Sequence, residues 1–301
     1  MSDSDVSCVR VSAIADEIAS QPGMWGLAGT LAESAADGLP AAGERIAAVG
    51  CGTSLYVARA YAALRESRGR GSSDAFPASE FPSRRRYDRV LAISRSGTTT
   101  EVLRLLANLP AGRRTLLTAD GDAPAAREAD NVVVLDFADE RSVVQTRFAT
   151  SVLVLLRAHL GEGPGGAVAD GELALSEPLP VEPAQIEHVV FLGHGWTVGI
   201  AEEAALKLRE ASRTYSEAYP AMEYRHGPIS LAGERSLVWV LGSPDDAIAD
   251  DVRATGAAVR VATLDPLAEL VLAQRLAVAL AEAKGLNPDH PRHLTRSVVL
   301  S

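Results

Sequence analysis

Short apolar runs alternate along the chain with longer stretches in which apolar residues recur every three or four positions. In the first half the runs are "RIAAVG", "RVLAIS", "RRTLLT" and "NVVVLD", each bounded by Gly, Asp or Ser. Between them lie "SLYVARAYAALRESRG", "TTEVLRLLANLP" and "DAPAAREAD", which carry helical periodicity or helix-starting residues. Apolar, β-branched strands separated by helices predict a parallel sheet covered on both faces. A longer helix over roughly Val143 to Leu160 closes the unit. The stretch that follows, "GEGPGGAVADGELALSEPLPVEP", is rich in Gly, Pro and acids and reads as a linker.

The pattern then restarts. "AAVGCGTSLYVARAYAALRE" (47–66) and "VFLGHGWTVGIAEEAALKLRE" (190–210) share a strand, a G-x-G turn and an alanine-rich helix ending in Arg-Glu. Gly50 and Gly52 correspond to Gly193 and Gly195, "SLVWVLGSP" parallels "RVLAISRSG", and "AAVRVATLD" parallels "RRTLLTAD". A repeat at this distance, about 143 residues, signals duplicated domains rather than a solenoid. The expected fold is therefore α/β, with two tandem three-layer αβα subdomains on parallel sheets, related by internal duplication. Boundaries follow: an N-terminal helical segment (1–44), subdomain 1 (45–160), the linker (161–184), subdomain 2 (185–280) and a C-terminal tail (281–301).

The two copies differ at one place. Ser94 to Thr100 of copy one, "SRSGTTT", holds five hydroxyls with Gly97 and Arg95, whereas copy two offers only Gly242, Ser243 and Pro244. A strand that runs through hydroxyls into a helix aims backbone N–H groups, and the positive end of the helix dipole, at one point. Gly97 permits close approach or a positive φ. Capping needs one hydroxyl rather than five, so this turn is read as a phosphate site at the C-terminal end of a strand. Thr53 and Ser54, in "VGCGTSLY", add donors at a second glycine turn.

Composition narrows the class. The chain has 301 residues, 47% of them hydrophobic, a net charge of -10 and no basic face, which argues against nucleic-acid binding. Cys8 and Cys51 supply neither a disulfide framework nor metal-ligand spacing, and Cys51 reads as a small buried residue. The acidic start "MSDSDVSCVR" is unlike a signal peptide, and the longest apolar run, "ATSVLVLLRAHL", is too short to span a bilayer. These features lead us to expect a protein of the cytoplasm without membrane or nucleic-acid partners. Acid–base candidates concentrate later in the chain. Glu203, Lys207 and Glu210 share one helix face, an arrangement that a solvated ion-paired face would also produce. "EAYPAMEYRHGP" adds Glu217, Glu223, Arg225 and His226 in what reads as a loop or broken helix.

Taken in order, "EIASQP", "GCGTS", "SRSGTTTE", "EEAALKLRE", "EAYPAMEYRHGP" and "HPRHLTRSV" resemble the SIS (sugar isomerase) family. The similarity is to the isomerase half of glutamine:fructose-6-phosphate amidotransferase and to stand-alone sugar-phosphate deaminases and isomerases. It covers nearly the whole chain. The resemblance implies that Ser54, Ser94, Arg95, Ser96 and Thr99 hold a substrate phosphate. It further implies that Thr53, Val143, Gln145, Thr295 and Arg296 contribute to the substrate site, the last two from the tail. Glu210 would move a proton between C1 and C2, Lys207 would assist at the substrate oxygens, and His226, donated by a second copy in a homodimer, would open the sugar ring. No cofactor and no metal are implied.

This sequence departs from the amidotransferase pattern in three respects. It opens at the isomerase half, and Cys8 is not an N-terminal nucleophile, so release of ammonia from glutamine is not expected. Arg296 stands where the synthase has a Schiff-base lysine, and a guanidinium stays protonated. Gln145 and Thr98 also differ. The expectation is an isomerase or deaminase of a hexosamine or ketohexose 6-phosphate; the alternative is a non-catalytic sugar-phosphate sensor.

Overall fold

The computed structural model describes residues 12–300 apart from 244 and 246. Cys8, the opening "MSDSDVSCVR" and Pro244 lie outside the described residues.

The chain enters through α1 (Ala13–Ala19) and α2 (Gln21–Ser34). Asp289, near the other end of the sequence, caps α1 by accepting from the backbone N–H groups of Ala13 and Ile14 and from Ser12 Oγ. The first half then runs β1 (Ile46–Gly50), α3 (Thr53–Ser67), β2 (Ser73–Pro77), β3 (Arg89–Ile93), α4 (Thr100–Asn108), β4 (Arg114–Thr118), α5 (Pro124–Arg127), β5 (Asn131–Val134) and α6 (Arg147–His159). Helix α7 (Gly165–Ser176) leads into β6 (His188–Gly193), α8 (Thr197–Ser212), β7 (Tyr215–Pro220), β8 (Ser236–Val240), α9 (Ile248–Arg253), β9 (Ala258–Val261) and α10 (Pro266–Ala283).

Both sheets are wholly parallel and ordered alike, β2-β1-β3-β4-β5 and β7-β6-β8-β9. Alternate residues of each strand feed different cores. Ile46, Ala48, Leu91 and Ile93 face inward with Phe191, Leu237 and Trp239, so a single core spans both sheets and the helices between them. Ala47, Val49, Val90 and Ala92 face outward against α4 and α5, and Val190, Leu192, Val238 and Val240 face outward against α9. The result is two three-layer units whose inner helices meet.

The repeat read from the sequence is visible in the backbone. Gly52 and Gly195 adopt nearly the same positive φ, 55° and 57°. A Cβ at Gly50 or Gly193 would fall 2.6 or 2.5 Å from the backbone of the following helix, so only glycine lets strand and helix approach at either turn. Helices α3 and α8, which follow those turns, pack antiparallel across the boundary between the halves, so tightly at Gly199 that an added Cβ would fall 2.7 Å from Ala60 N and Tyr56 O.

Three readings from the sequence are corrected. The 161–184 stretch contains α7, which packs on α2 and α10. The helix expected from about Val143 begins at Arg147, because a remote carboxylate, Glu140, takes the Thr146 and Arg147 N–H groups and fixes the start there. The supposed loop or broken helix around Glu217 is an edge strand, β7, followed by 3-10 turns. Among the described residues, no helix is long and apolar enough to cross a membrane.

Candidate active site

The hydroxyl turn lies at the C-terminal end of β3, a central strand of its sheet. Gly97 has φ 59°, and a Cβ there would meet Ala123 Cβ at 2.5 Å, so the turn can close only around glycine. Ser96 Oγ accepts from Thr98 N (3.2 Å) and Thr98 Oγ1 (2.9 Å), which makes the turn rigid from within. A small polar pocket opens beside it, lined by Ser54, Ser94, Ser96, Thr99, Gln145 and Arg296, with Cys51 at its wall. Among the described residues, Ser94 Oγ, Gln145 Oε1 and Arg95 Nε, all on side chains lining this pocket, are buried without a protein hydrogen-bond partner. Buried polar atoms are nearly always paired, so orphans gathered at one pocket point to a ligand with both donor and acceptor groups. Burial, with Glu101 nearby, pushes the Cys51 thiol up, which keeps it protonated rather than nucleophilic.

The acid–base cluster forms where the two halves cross. Lys207 of α8 is 1% exposed and donates to Thr53 Oγ1 of α3 (2.8 Å) and to Glu210 Oε2 (2.6 Å). Glu203 Oε1 lies 3.4 Å from the same ammonium and accepts from Thr53 Oγ1 at 3.4 Å. Burial raises Glu203 to about 7, against the pull of Lys207. Burial alone would lower the Lys207 ammonium; the Glu203 and Glu210 carboxylates reverse this and leave it raised. The face is therefore no solvated ion-pair ladder. Only Glu210 reaches solvent, with its side chain 21% exposed, while Lys207 and Glu203 sit at 2% each. Thr53 links this cluster to the phosphate-type pocket, because its neighbour Ser54 lines that pocket.

The remaining predicted residues are placed as follows. Arg95 is buried, and its guanidinium is bound within the protein by Glu140 and the carbonyls of Ser142, Val143 and Arg296. Val143 thus meets the site through its backbone. Arg296 pairs with Asp139 at the rim, and Thr295, on the exposed tail, bonds to the Ser297 carbonyl. His226 stands apart: it is exposed on the 3-10 turn after β7 and joins neither the pocket nor the Lys207 cluster of its own chain. Sequence reasoning missed Glu140 entirely. One more acid in "ADERSVVQTR" carries no local signal, and only the fold shows that it is 1% exposed and satisfies four donors.

No family model matches the chain. Among curated proteins it is 29% identical over 296 residues to the isomerising glutamine--fructose-6-phosphate aminotransferase of Sulfolobus acidocaldarius, covering 85% of this chain and 50% of the relative. The Neisseria meningitidis serogroup B enzyme of the same name is 29% identical over 314 residues, covering 83% and 50%. The chain spans about half the length of the curated relatives it matches. Among solved structures, glucosamine-6-phosphate deaminase from Thermotoga maritima superposes with a TM-score of 0.79 at 26% identity, covering 96% of this chain and all of that one. Tagatose-6-phosphate ketose/aldose isomerase from Escherichia coli shares the fold, with a TM-score of 0.76 at 20% identity over 95% of each chain. In sequence and in fold, the chain is thus similar to the sugar isomerase (SIS) family, with homologues in the isomerising aminotransferases and structural neighbours among glucosamine-6-phosphate deaminase and the phosphosugar isomerases.

Proposed function

We propose that the protein is a phosphosugar isomerase or deaminase acting on a hexosamine or ketohexose 6-phosphate by proton transfer between C1 and C2. One observation carries the reading: a hydroxyl-lined pocket with unpartnered polar atoms adjoins the buried Lys207 ammonium, whose partner Glu210 reaches solvent. The pocket takes the phosphate through Ser54, Ser94, Ser96 and Thr99, with helix-start N–H groups supplying further donors. Anchored there, the sugar extends toward the crossing of α3 and α8, and Gln145 Oε1 accepts from one of its hydroxyls. The anchor supplies orientation, which lets one base serve two adjacent carbons.

Glu210 is that base. Its Oε2 is held by Lys207, leaving the other oxygen for the substrate. Abstraction of the C2 proton of an aldose form gives an enediol, or an enolamine from an amino sugar. Return of a proton to C1 gives the ketose directly from the enediol, or a ketimine from the enolamine, which water hydrolyses to the ketose with release of ammonia. The Lys207 ammonium, kept raised by its two carboxylates, stabilises the oxyanion that develops at the substrate oxygens. Arg296, a permanent cation at the pocket rim, contributes charge without forming an imine. The scheme calls on no cofactor.

Ring opening requires an acid near the sugar ring oxygen. His226 is exposed and joins none of these groups in its own chain, so a second copy supplies it in a homodimer, in a protein of the cytoplasm. A panel of hexose and hexosamine 6-phosphates, followed by NMR for isomerisation and for ammonia release, tests the function. Turnover of at least one member is expected. Phosphate binding without turnover of any member would favour a sensor instead.

A further inference from the structure

Arg95 lines the pocket beside the hydroxyl turn, yet its terminal guanidinium nitrogens are spent on the protein rather than on the cavity. Arg95 leaves the hydroxyl turn and buries its guanidinium at 2% exposure. Nη1 donates to Glu140 Oε2 (3.2 Å) and the Ser142 carbonyl (3.0 Å); Nη2 donates to the carbonyls of Val143 (3.3 Å) and Arg296 (3.2 Å). Glu140, itself 1% exposed, uses its other oxygen to hold Thr146 N, Thr146 Oγ1 and Arg147 N. One ion pair thus joins three segments distant in sequence: the hydroxyl turn, the 140–147 turn that carries Gln145, and the C-terminal tail.

The tail lies along the turn. Thr98 Oγ1 and Ser297 Oγ share a hydrogen bond (2.8 Å), Thr100 N donates to the Val298 carbonyl (3.2 Å), and Leu300 N donates to Thr100 Oγ1 (2.8 Å). Thr100 is buried, but the tail's own side chains are exposed or half-buried, Val298 and Val299 being 51% and 69% exposed, so apolar burial gives the tail little hold. The bond from Arg95 to the Arg296 carbonyl differs from the others in coming from a buried charged group that is itself paired with Glu140.

We propose that Arg95 is a positioning residue that holds the C-terminal tail, and with it Arg296, closed over the phosphate pocket. The inference rests on the reading of that pocket as a phosphate site. A planar fork is required for it. One guanidinium nitrogen can stay with Glu140 and Ser142 while the other reaches two further carbonyls, which an ammonium cannot do. The buried pair is itself no assurance of net stability, since desolvation opposes it. Its effect is preorganisation: the pocket rim is assembled before the ligand arrives.

The test uses Arg95→Lys, which keeps a charge opposite Glu140 and so avoids a lone buried carboxylate, together with a chain ending at Leu294. Amide hydrogen exchange at Thr100 and Leu300 reports tail closure, and calorimetry with inorganic phosphate reports the pocket. In Arg95→Lys, both amides should exchange at least about tenfold faster and phosphate should bind about tenfold more weakly, the scale of one lost charge-assisted hydrogen bond. In the shortened chain, the same substitution should add almost nothing, because the two changes act through one element. Unchanged exchange at Thr100 and Leu300, or an equal additional loss of affinity in the shortened chain, would overturn the proposal. If the wild type binds no phosphate, the pocket reading fails, while the exchange data still decide whether Arg95 holds the tail.

Discussion

Ser94 and Glu203 separate binding from stability most clearly. Ser94 Oγ is buried with no hydrogen-bond partner among the described residues, so its removal takes no hydrogen bond from the folded state and one donor from a bound phosphate. Ser94→Ala should keep the wild-type melting temperature and weaken inorganic phosphate binding about tenfold, by calorimetry. A variant that melts early but binds normally would make Ser94 a structural residue. Glu203 has the opposite character. Its folded value, about 7, lies above its ordinary 4.5, so its contribution to stability is complete below about 4.5 and is lost as pH rises through 7. Unfolding free energies of wild type and Glu203→Gln at pH 5 and pH 8 should show the variant gaining on wild type at the higher pH. A pH-independent difference would mean that burial does not govern this carboxyl. The hydroxyls and the Glu203, Lys207, Glu210 spacing were legible in the sequence because they are local. Burial was not: the same i, i+3, i+4 spacing suits a solvated face, and only the crossing with α3 decides between them.

Among elements, the contact of α3 with α8 positions the chemistry. It brings Thr53 of one half onto Lys207 of the other, and it requires that Gly199 carry no side chain. Gly199→Leu should push the helices apart and cost about 1–3 kcal/mol in chemical denaturation, with loss of whatever activity the wild type has. Full stability in that variant would contradict the packing described. The central strands were readable because both faces are buried and the residues are apolar throughout. Strands β2, "SDAFP", and β7, "YSEAYP", escaped notice for the converse reason: each is an edge strand, only partly buried, with no apolar run to mark it. Helix α7 was masked by Gly and acidic residues that suggest a linker, although Ala167, Gly171 and Ala174 supply a small-residue face for packing. Gly171 approaches Trp25 so closely that an added Cβ would lie 2.5 Å from its ring.

For the whole molecule, the duplication explains how the hydroxyl-lined pocket of one half comes to lie beside the Lys207 cluster of the other: the inner helices of the two copies meet, and each copy contributes its own end of the candidate site. Two-domain architecture was legible from the repeated G-x-G turns; the shared core between the sheets was not, since no local pattern says which helix faces meet. A second copy completes the account. Glu210→Gln and His226→Ala, each inactive alone, should regain part of the activity when mixed and allowed to exchange subunits. No recovery despite proven exchange would place His226 outside catalysis in trans. The central claim, that Glu210 moves a proton between C1 and C2 of a bound sugar phosphate, is met most directly by running the sugar-phosphate panel in deuterium oxide and following the C2 proton by NMR. The account predicts solvent deuterium at C2 of the aldose form or C1 of the ketose form with wild type and none with Glu210→Gln, while both bind inorganic phosphate equally. Exchange at the wild-type rate in Glu210→Gln, or no exchange by wild type on any member of the panel, would contradict it.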